Sequence, residues 1–136
     1  MRIVLDTNCL LVVVPKKSQF REVFEWILSG KVQLIITTEI LLEYEEQLSF
    51  FYSAEYAKLI INAITNLPET IEVNAIYFNW LMISTDVDDN KFVDAYIAGQ
   101  AELIVSNDKH FDQLAKVIYP KISCLKLNDF LNVNVE

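Results

Sequence analysis

The sequence predicts an α/β fold built on a parallel sheet, and three features carry that expectation. Short apolar or β-branched runs alternate with segments of helical period along the chain, the pattern of strand–crossover–strand units. Hydrophobic residues make up 53% of the chain and only two are glycine, a balance that suits a packed core rather than disorder. The 136 residues show no repeat, low-complexity tract, linker or composition shift, so one domain over residues 1–136 is expected.

Each element follows from local chemistry. Met1–Leu5 reads as a first buried strand. Ser18 is placed to cap a helix to about Ser29, because Phe20, Val23, Phe24, Ile27 and Leu28 recur at helical spacing. Gly30 stands just past its end, where a left-handed residue often closes a helix. Val32–Thr37 is β-branched and reads as a second strand. Thr38 then caps a helix through about Phe50, and Ser53 caps another through about Asn66, with Pro68 closing the region. Ile71–Val73 and Trp80–Ile83 are short strand candidates. Asp88 or Asp89 caps a helix from Asn90 to about Gln100. Glu102–Ser106 reads as a strand, Lys109–Ala115 as a short helix and Ile122–Leu127 as a last strand. Strands joined this way take right-handed crossovers and put ligands at their carboxyl ends.

Composition excludes several roles. The net charge is −8 and the pI about 4.6, against a protein that grips duplex phosphates over a broad basic face. An enzyme that meets phosphate through bound metal ions remains compatible, because the ions supply positive charge locally. No apolar run approaches the roughly 20 residues of a membrane span, and Arg2 alone is a poor charged leader region, so a cytoplasmic protein is expected. Cys9 and Cys124 lie in no metal-binding or redox spacing and read as core thiols.

Several acids stand where a purely structural chain has little use for a carboxylate. Asp6 follows Ile3-Val4-Leu5 directly, at the carboxyl edge of a buried strand. It either bonds turn amides or, oriented by Thr7 and Asn8, holds a ligand. Asp108 takes the equivalent place after Leu103-Ile104-Val105-Ser106-Asn107, where it can cap the next helix, bind an ion, or both. Asp94 shares a helix face with Ile97, Ala98 and Ala101, and a carboxylate there is costly unless paired or bound to a cation. Glu43 belongs either to a solvated stripe with Glu39 and Glu46 or to the same site. Asp88 and Asp89 read first as helix caps, and Asp89 is near enough to Asp94 to be a further member.

Like charges held within a few ångströms ionise together only beside a counter-charge, and the chain has 11 Lys and Arg against 19 acids. A divalent cation is the economical answer, and oxygen ligands select Mg2+ or Mn2+ over zinc. His110 is the sole histidine, so a structural zinc site or a histidine triad has little to build on, and no GxSxG elbow is present. With two glycines, the chain holds neither a GxxxxGK[ST] nor a GxGxxG phosphate loop.

The opening Ile3-Val4-Leu5-Asp6-Thr7-Asn8, the segment Glu39-Ile40-Leu41-Leu42-Glu43-Tyr44 and the run DDNKFVDAYIAGQAELIVSNDKHF from Asp88 to Phe111 resemble a PIN domain over nearly the whole chain. The similarity is greatest to stand-alone bacterial PIN proteins described as toxins of toxin–antitoxin systems. That resemblance implies a three-layer α/β/α sandwich around a parallel sheet and a metal-dependent ribonuclease. It implies that Asp6, Glu43, Asp94 and Asp108 are the acidic quartet, with Ser106 the small hydroxyl residue before the last acid. Asp6, Asp94 and Asp108 would hold one or two Mg2+ or Mn2+ ions, with Asp89 an alternative third acid, and Glu43 would help position a metal or a water. An RNA substrate, a cognate antitoxin protein and a homodimer follow from the same resemblance, and Lys91 and Lys109 are candidate phosphate contacts.

Three other readings fit part of the pattern. A haloacid-dehalogenase-like phosphatase wants a second Asp where Asn8 stands, and a receiver domain wants an acidic pair that is absent. A PIN scaffold that binds RNA or protein without cutting keeps the same fold and differs only in site geometry.

Overall fold

The computed structural model describes residues 1–74, 90–116 and 121–133; the expected strand Trp80–Ile83 and the caps Asp88 and Asp89 lie outside them. Five strands form one sheet: β1 (Arg2–Leu5), β2 (Gln33–Ile36), β3 (Ile71–Glu72), β4 (Leu103–Val105) and β5 (Cys124–Leu125). Their order is β3-β2-β1-β4-β5, and every pairing is parallel, with Leu5 opposite Val105 and Ile104 opposite Cys124. Among the described residues six α-helices flank the sheet: α1 (Thr7–Val13), α2 (Arg21–Leu28), α3 (Thr38–Phe51), α4 (Ala54–Thr65), α5 (Asn90–Ala98) and α6 (Leu127–Leu131). A 3₁₀ helix spans Lys109–Lys116.

This is the flanked parallel sheet that strand–helix alternation predicts. Ile3, Val4, Leu5, Leu34, Ile35, Ile36, Ile104 and Val105 are all buried, as strands covered on both faces must be. From β1 the chain winds outward through β2 to β3, then returns to lay β4 on the other side of β1. The strand order therefore reverses between β1 and β4, and in such sheets ligands bind at the carboxyl ends of the strands flanking that reversal. Asp6 and Ser106 follow those two strands.

Several helix boundaries differ from the sequence expectation for stated reasons. Thr7–Val13 forms α1, although its continuous apolar run has no readable period; Asp6 is its N-cap, without a side-chain cap bond. Ser18 does not cap α2, which begins at Arg21. Its hydroxyl accepts from the Phe20 amide at 3.0 Å and donates to the Val12 carbonyl, so it closes the preceding turn. Thr37, not Thr38, caps α3 and accepts from the Ile40 amide at 3.2 Å. Ser53 caps α4 as expected. The last expected strand is split: only Cys124–Leu125 pairs, and Leu127–Leu131 turns into α6.

The two glycines have separate uses. Gly30 adopts φ +81° just beyond α2, the left-handed closure expected there. Gly99 follows α5 and is buried against β2: an added Cβ would stand 2.7 Å from Ile35 side-chain carbons and 3.0 Å from the Ala95 carbonyl. Because Ile35 is itself fully buried, Gly99→Ala is expected to destabilise by about 1–3 kcal/mol. Urea unfolding checks this, and an unchanged midpoint contradicts it.

Candidate active site

The site grows from backbone pairing. The Asp6 amide donates to the Val105 carbonyl at 3.0 Å, which extends the β1–β4 ladder one residue and sets Asp6 beside Ser106. The Ser106 hydroxyl donates to Asp6 Oδ2 at 2.7 Å and accepts from the Asp108 amide at 3.0 Å. Asp108 Oδ1 in turn accepts from the His110 amide at 2.9 Å and lies 3.3 Å from His110 Nδ1. Asp108 thus caps the 3₁₀ helix while keeping an oxygen at the strand edge. The Asn107 side chain holds the neighbouring loop by accepting from the Leu127 amide at 2.9 Å.

A second set of contacts arrives from α3. Thr7 donates its hydroxyl to Glu43 Oε2, and Lys91 Nζ lies 2.8 Å from Glu43 Oε1. Glu39 and Glu46 are exposed while Glu43 is half-buried, so Glu43 leaves the solvated stripe and joins the strand edge. On the adjacent position of α3, Tyr44 is fully buried and its hydroxyl donates to the Leu5 carbonyl. One helix turn therefore fixes both the residue before Asp6 and the partner of the residue after it.

Asp94 lies on the buried face of α5 with Asn90 and Val93, and α5 packs against β1, β2, β4 and α3. Asp6 is 4% exposed and Asp94 7%. A buried carboxylate is costly for an apolar core and reasonable for a cation site. Burial raises the Asp6 carboxyl above the ordinary range, opposed by the Ser106 hydrogen bond; the Asp108 and Glu43 charges raise it further, and a backbone bond from Thr7 lowers it. Asp6 therefore feels the charges of Asp108 and Glu43 across the edge.

The two lysines expected as phosphate contacts stand in different surroundings. Lys91 is 14% exposed and ion-paired to Glu43, so it faces inward and is no open phosphate contact; Lys109 is exposed. Thr7 and Tyr44 were not singled out by residue type for these bonds, and only their long-range partners reveal them. Cys9 lies beneath the edge, and burial followed by the Asp6 charge pushes its thiol up to about 12, a core thiol as expected.

Among the described residues, no three His, Cys, Asp or Glu side chains converge closely enough to cage an ion by themselves. Zinc, which wants four protein ligands in a closed site, does not suit such an edge. Mg2+ does, because it usually keeps several waters and takes only one or two carboxylates from the protein. Asp6 and Asp108, with Asp94 on the adjoining helix, offer oxygen donors of that kind.

A protein-family model described as PIN domain matches residues 2–110. Among solved structures, VapBC2 from Rickettsia felis bound to a promoter DNA fragment aligns with TM-score 0.64 at 17% identity, covering 93% of this chain and 98% of that one. DNA-bound VapBC from Salmonella typhimurium aligns with TM-score 0.55 at 20% identity, covering 93% and 98% respectively. No curated protein matches the sequence.

Proposed function

The chain belongs to the PIN domain family, and from that premise we propose that it is a metal-dependent endoribonuclease, the toxin half of a toxin–antitoxin pair. The observation that carries the reading is the buried Asp6 carboxylate at the β1–β4 reversal, tied to Ser106 and within electrostatic reach of Asp108 and Glu43. Such an arrangement costs folding energy and is useful only when a cation is brought to it.

In this reading Asp6, Asp94 and Asp108 hold Mg2+ or Mn2+, and Asp89 is a further candidate that lies outside the described residues. A bound divalent ion supplies a lowered water pKa and positive charge against the phosphodiester. The chain's own residues do the rest. Ser106 fixes the rotamer of Asp6 and, through the Asp108 amide, the start of the 3₁₀ helix. Glu43 joins α3 to α5 through Lys91 and to α1 through Thr7. Removing the Ser106 hydroxyl takes a hydrogen bond from a buried carboxylate, and outer-shell partners of this kind are worth roughly 10–100-fold in metal affinity. Ser106→Ala is accordingly expected to weaken Mn2+ binding by that factor without loss of fold, as read by calorimetric titration; unchanged affinity contradicts the role.

A protein partner has a surface to use. Leu42, Phe50, Phe51, Tyr52 and Leu59 are exposed along α3, the α3–α4 turn and α4, and contiguous exposed apolar patches mark interaction sites. An antitoxin covering this face, a homodimer formed through it, or both, are the partners proposed. No helix among the described residues is long and apolar enough to cross a membrane.

The test is cleavage of single-stranded and structured RNA by the purified chain with Mg2+, with Mn2+ and with chelator. Cleavage that requires the ion and disappears in Asp6→Asn supports the proposal. Cleavage that survives chelation overturns its metal dependence, and no cleavage of any RNA by an ion-loaded protein leaves the binding-module reading in its place.

A further inference from the structure

Glu43 has no carboxylate oxygen left uncommitted. Oε2 accepts from the Thr7 hydroxyl and Oε1 faces Lys91 Nζ at 2.8 Å. The ammonium is held from three directions: the Glu43 charge, the Phe92 ring with its centroid 5.2 Å away, and burial that leaves the side chain only 14% exposed. A buried ammonium is desolvated at a cost that is offset only where a carboxylate and an aromatic face are fixed around it. Lys91 is also three residues before Asp94 on α5, so its charge sits at the same edge as the carboxylates.

Two-ion hydrolytic sites place their cations about 3.5–4 Å apart, each bridged by carboxylates. Here the position beside Glu43 already carries a positive charge with a covalent tether. A second divalent ion at Glu43 would have to displace Lys91 from this pair, or sit beside it against direct repulsion. The other side of the edge differs: Asp6 accepts from the Ser106 hydroxyl at 2.7 Å and Asp108 from the His110 amide at 2.9 Å, so neutral donors rather than an ammonium face those acids.

From this geometry we infer that Lys91 stands in for a second metal ion, so that the strand edge takes one divalent cation, on the Asp6–Asp108 side, and Glu43 is a positioning residue rather than a ligand. The inference rests on the proposed reading of that edge as a divalent-ion site. It gives the positioning role expected for Glu43 a structural cause and makes Lys91 a necessary internal counter-ion.

Mn2+ stoichiometry of the full chain, counted from the paramagnetic signal of the free ion, decides the matter without any activity measurement. The wild type is expected to bind one ion. Lys91→Arg keeps the charge and stays at one, whereas Lys91→Met frees Glu43 and raises the count to two. Glu43→Gln should weaken the remaining ion by no more than about tenfold, the lower end for an outer-shell partner, while Asp6→Asn removes it. Two ions on the wild type overturn the inference and leave the metal reading standing, as does a count of one in folded Lys91→Met. No Mn2+ on the wild type overturns the metal reading itself. If Lys91→Met does not fold, the wild-type count and Lys91→Gln carry the same decision.

Discussion

Asp6→Asn is expected to lower RNA cleavage by roughly a thousandfold, the equivalent of about 4 kcal/mol of lost transition-state stabilisation, while raising the melting temperature of the metal-free protein at neutral pH. The two effects have one cause. Burial, the largest contribution, holds the Asp6 carboxyl above its ordinary range, and the Asp108 and Glu43 charges push the same way against the Ser106 and Thr7 bonds. The folded state therefore favours the neutral acid more than the unfolded chain does. Its contribution to stability is fully present below the ordinary carboxylate range and is lost as pH rises through the raised folded value. At pH 7 the wild type carries that cost and the amide does not. A gain of a few degrees is expected, the scale on which about 1 kcal/mol moves a domain of this size. Added Mn2+ should reverse the ranking by binding only the wild type. Melting curves from pH 4 to 8, with and without the ion, test both halves. An Asp6→Asn protein that melts lower than wild type at neutral pH without metal removes the electrostatic account.

Tyr44 is expected to be the most costly single position for stability. Its ring is fully buried, so Tyr44→Ala should cost about 3–5 kcal/mol, the range for deleting a core aromatic. Tyr44→Phe separates packing from polarity. It keeps the ring and withdraws the hydroxyl from the Leu5 carbonyl, at about 1–3 kcal/mol for a buried acceptor that loses its partner. The phenol is pushed well above its ordinary range, by burial first and then by the Asp6, Cys9 and Glu43 charges, so the bond persists across the usual working pH. Because Leu5 precedes Asp6, the Phe variant should also weaken Mn2+ binding, whereas a core substitution remote from the edge, such as Ile60→Val, should leave it unchanged. Denaturant unfolding in parallel with Mn2+ titration separates these outcomes. Equal Mn2+ affinity in Tyr44→Phe and wild type shows that the hydroxyl stabilises the fold without positioning Asp6.

What could be read from the residues alone was the local part. The β-branched run before Thr37 and the apolar run before Asp6 announce strands, and both exist. Asp6 and Asp108 sit at strand ends because a hydrophobic run simply stops there. The hidden part lies in side chains meeting across the chain. Nothing in the types of Thr7, Glu43 and Lys91 says that they form one connected group, and the Glu39–Glu43–Glu46 spacing reads equally well as a solvated face. Only the packing of α3 and α5 at the sheet edge separates Glu43 from its exposed neighbours. The surroundings of Lys91 were hidden for the same reason: its pairing with Glu43 on α3 and its place over the Phe92 ring appear only in the packed structure. Helix α1 escaped because seven residues containing Cys9, Leu10, Leu11, Val12 and Val13 are apolar almost all round, and periodicity is silent there. The start of α3 slipped by one residue because two hydroxyl residues, Thr37 and Thr38, compete for the cap.

The pairing of Leu5 with Val105 has a consequence for biosynthesis. The first strand leaves the ribosome well before its neighbour on the far side, because Ser106 follows Asp6 by 100 residues. At about 5–20 residues per second, several seconds separate them. Contacts between segments so distant in sequence also close slowly. During that interval the nascent chain has Asp6 and no edge for it to complete, so the edge cannot assemble until β4 and the residues after it have been made.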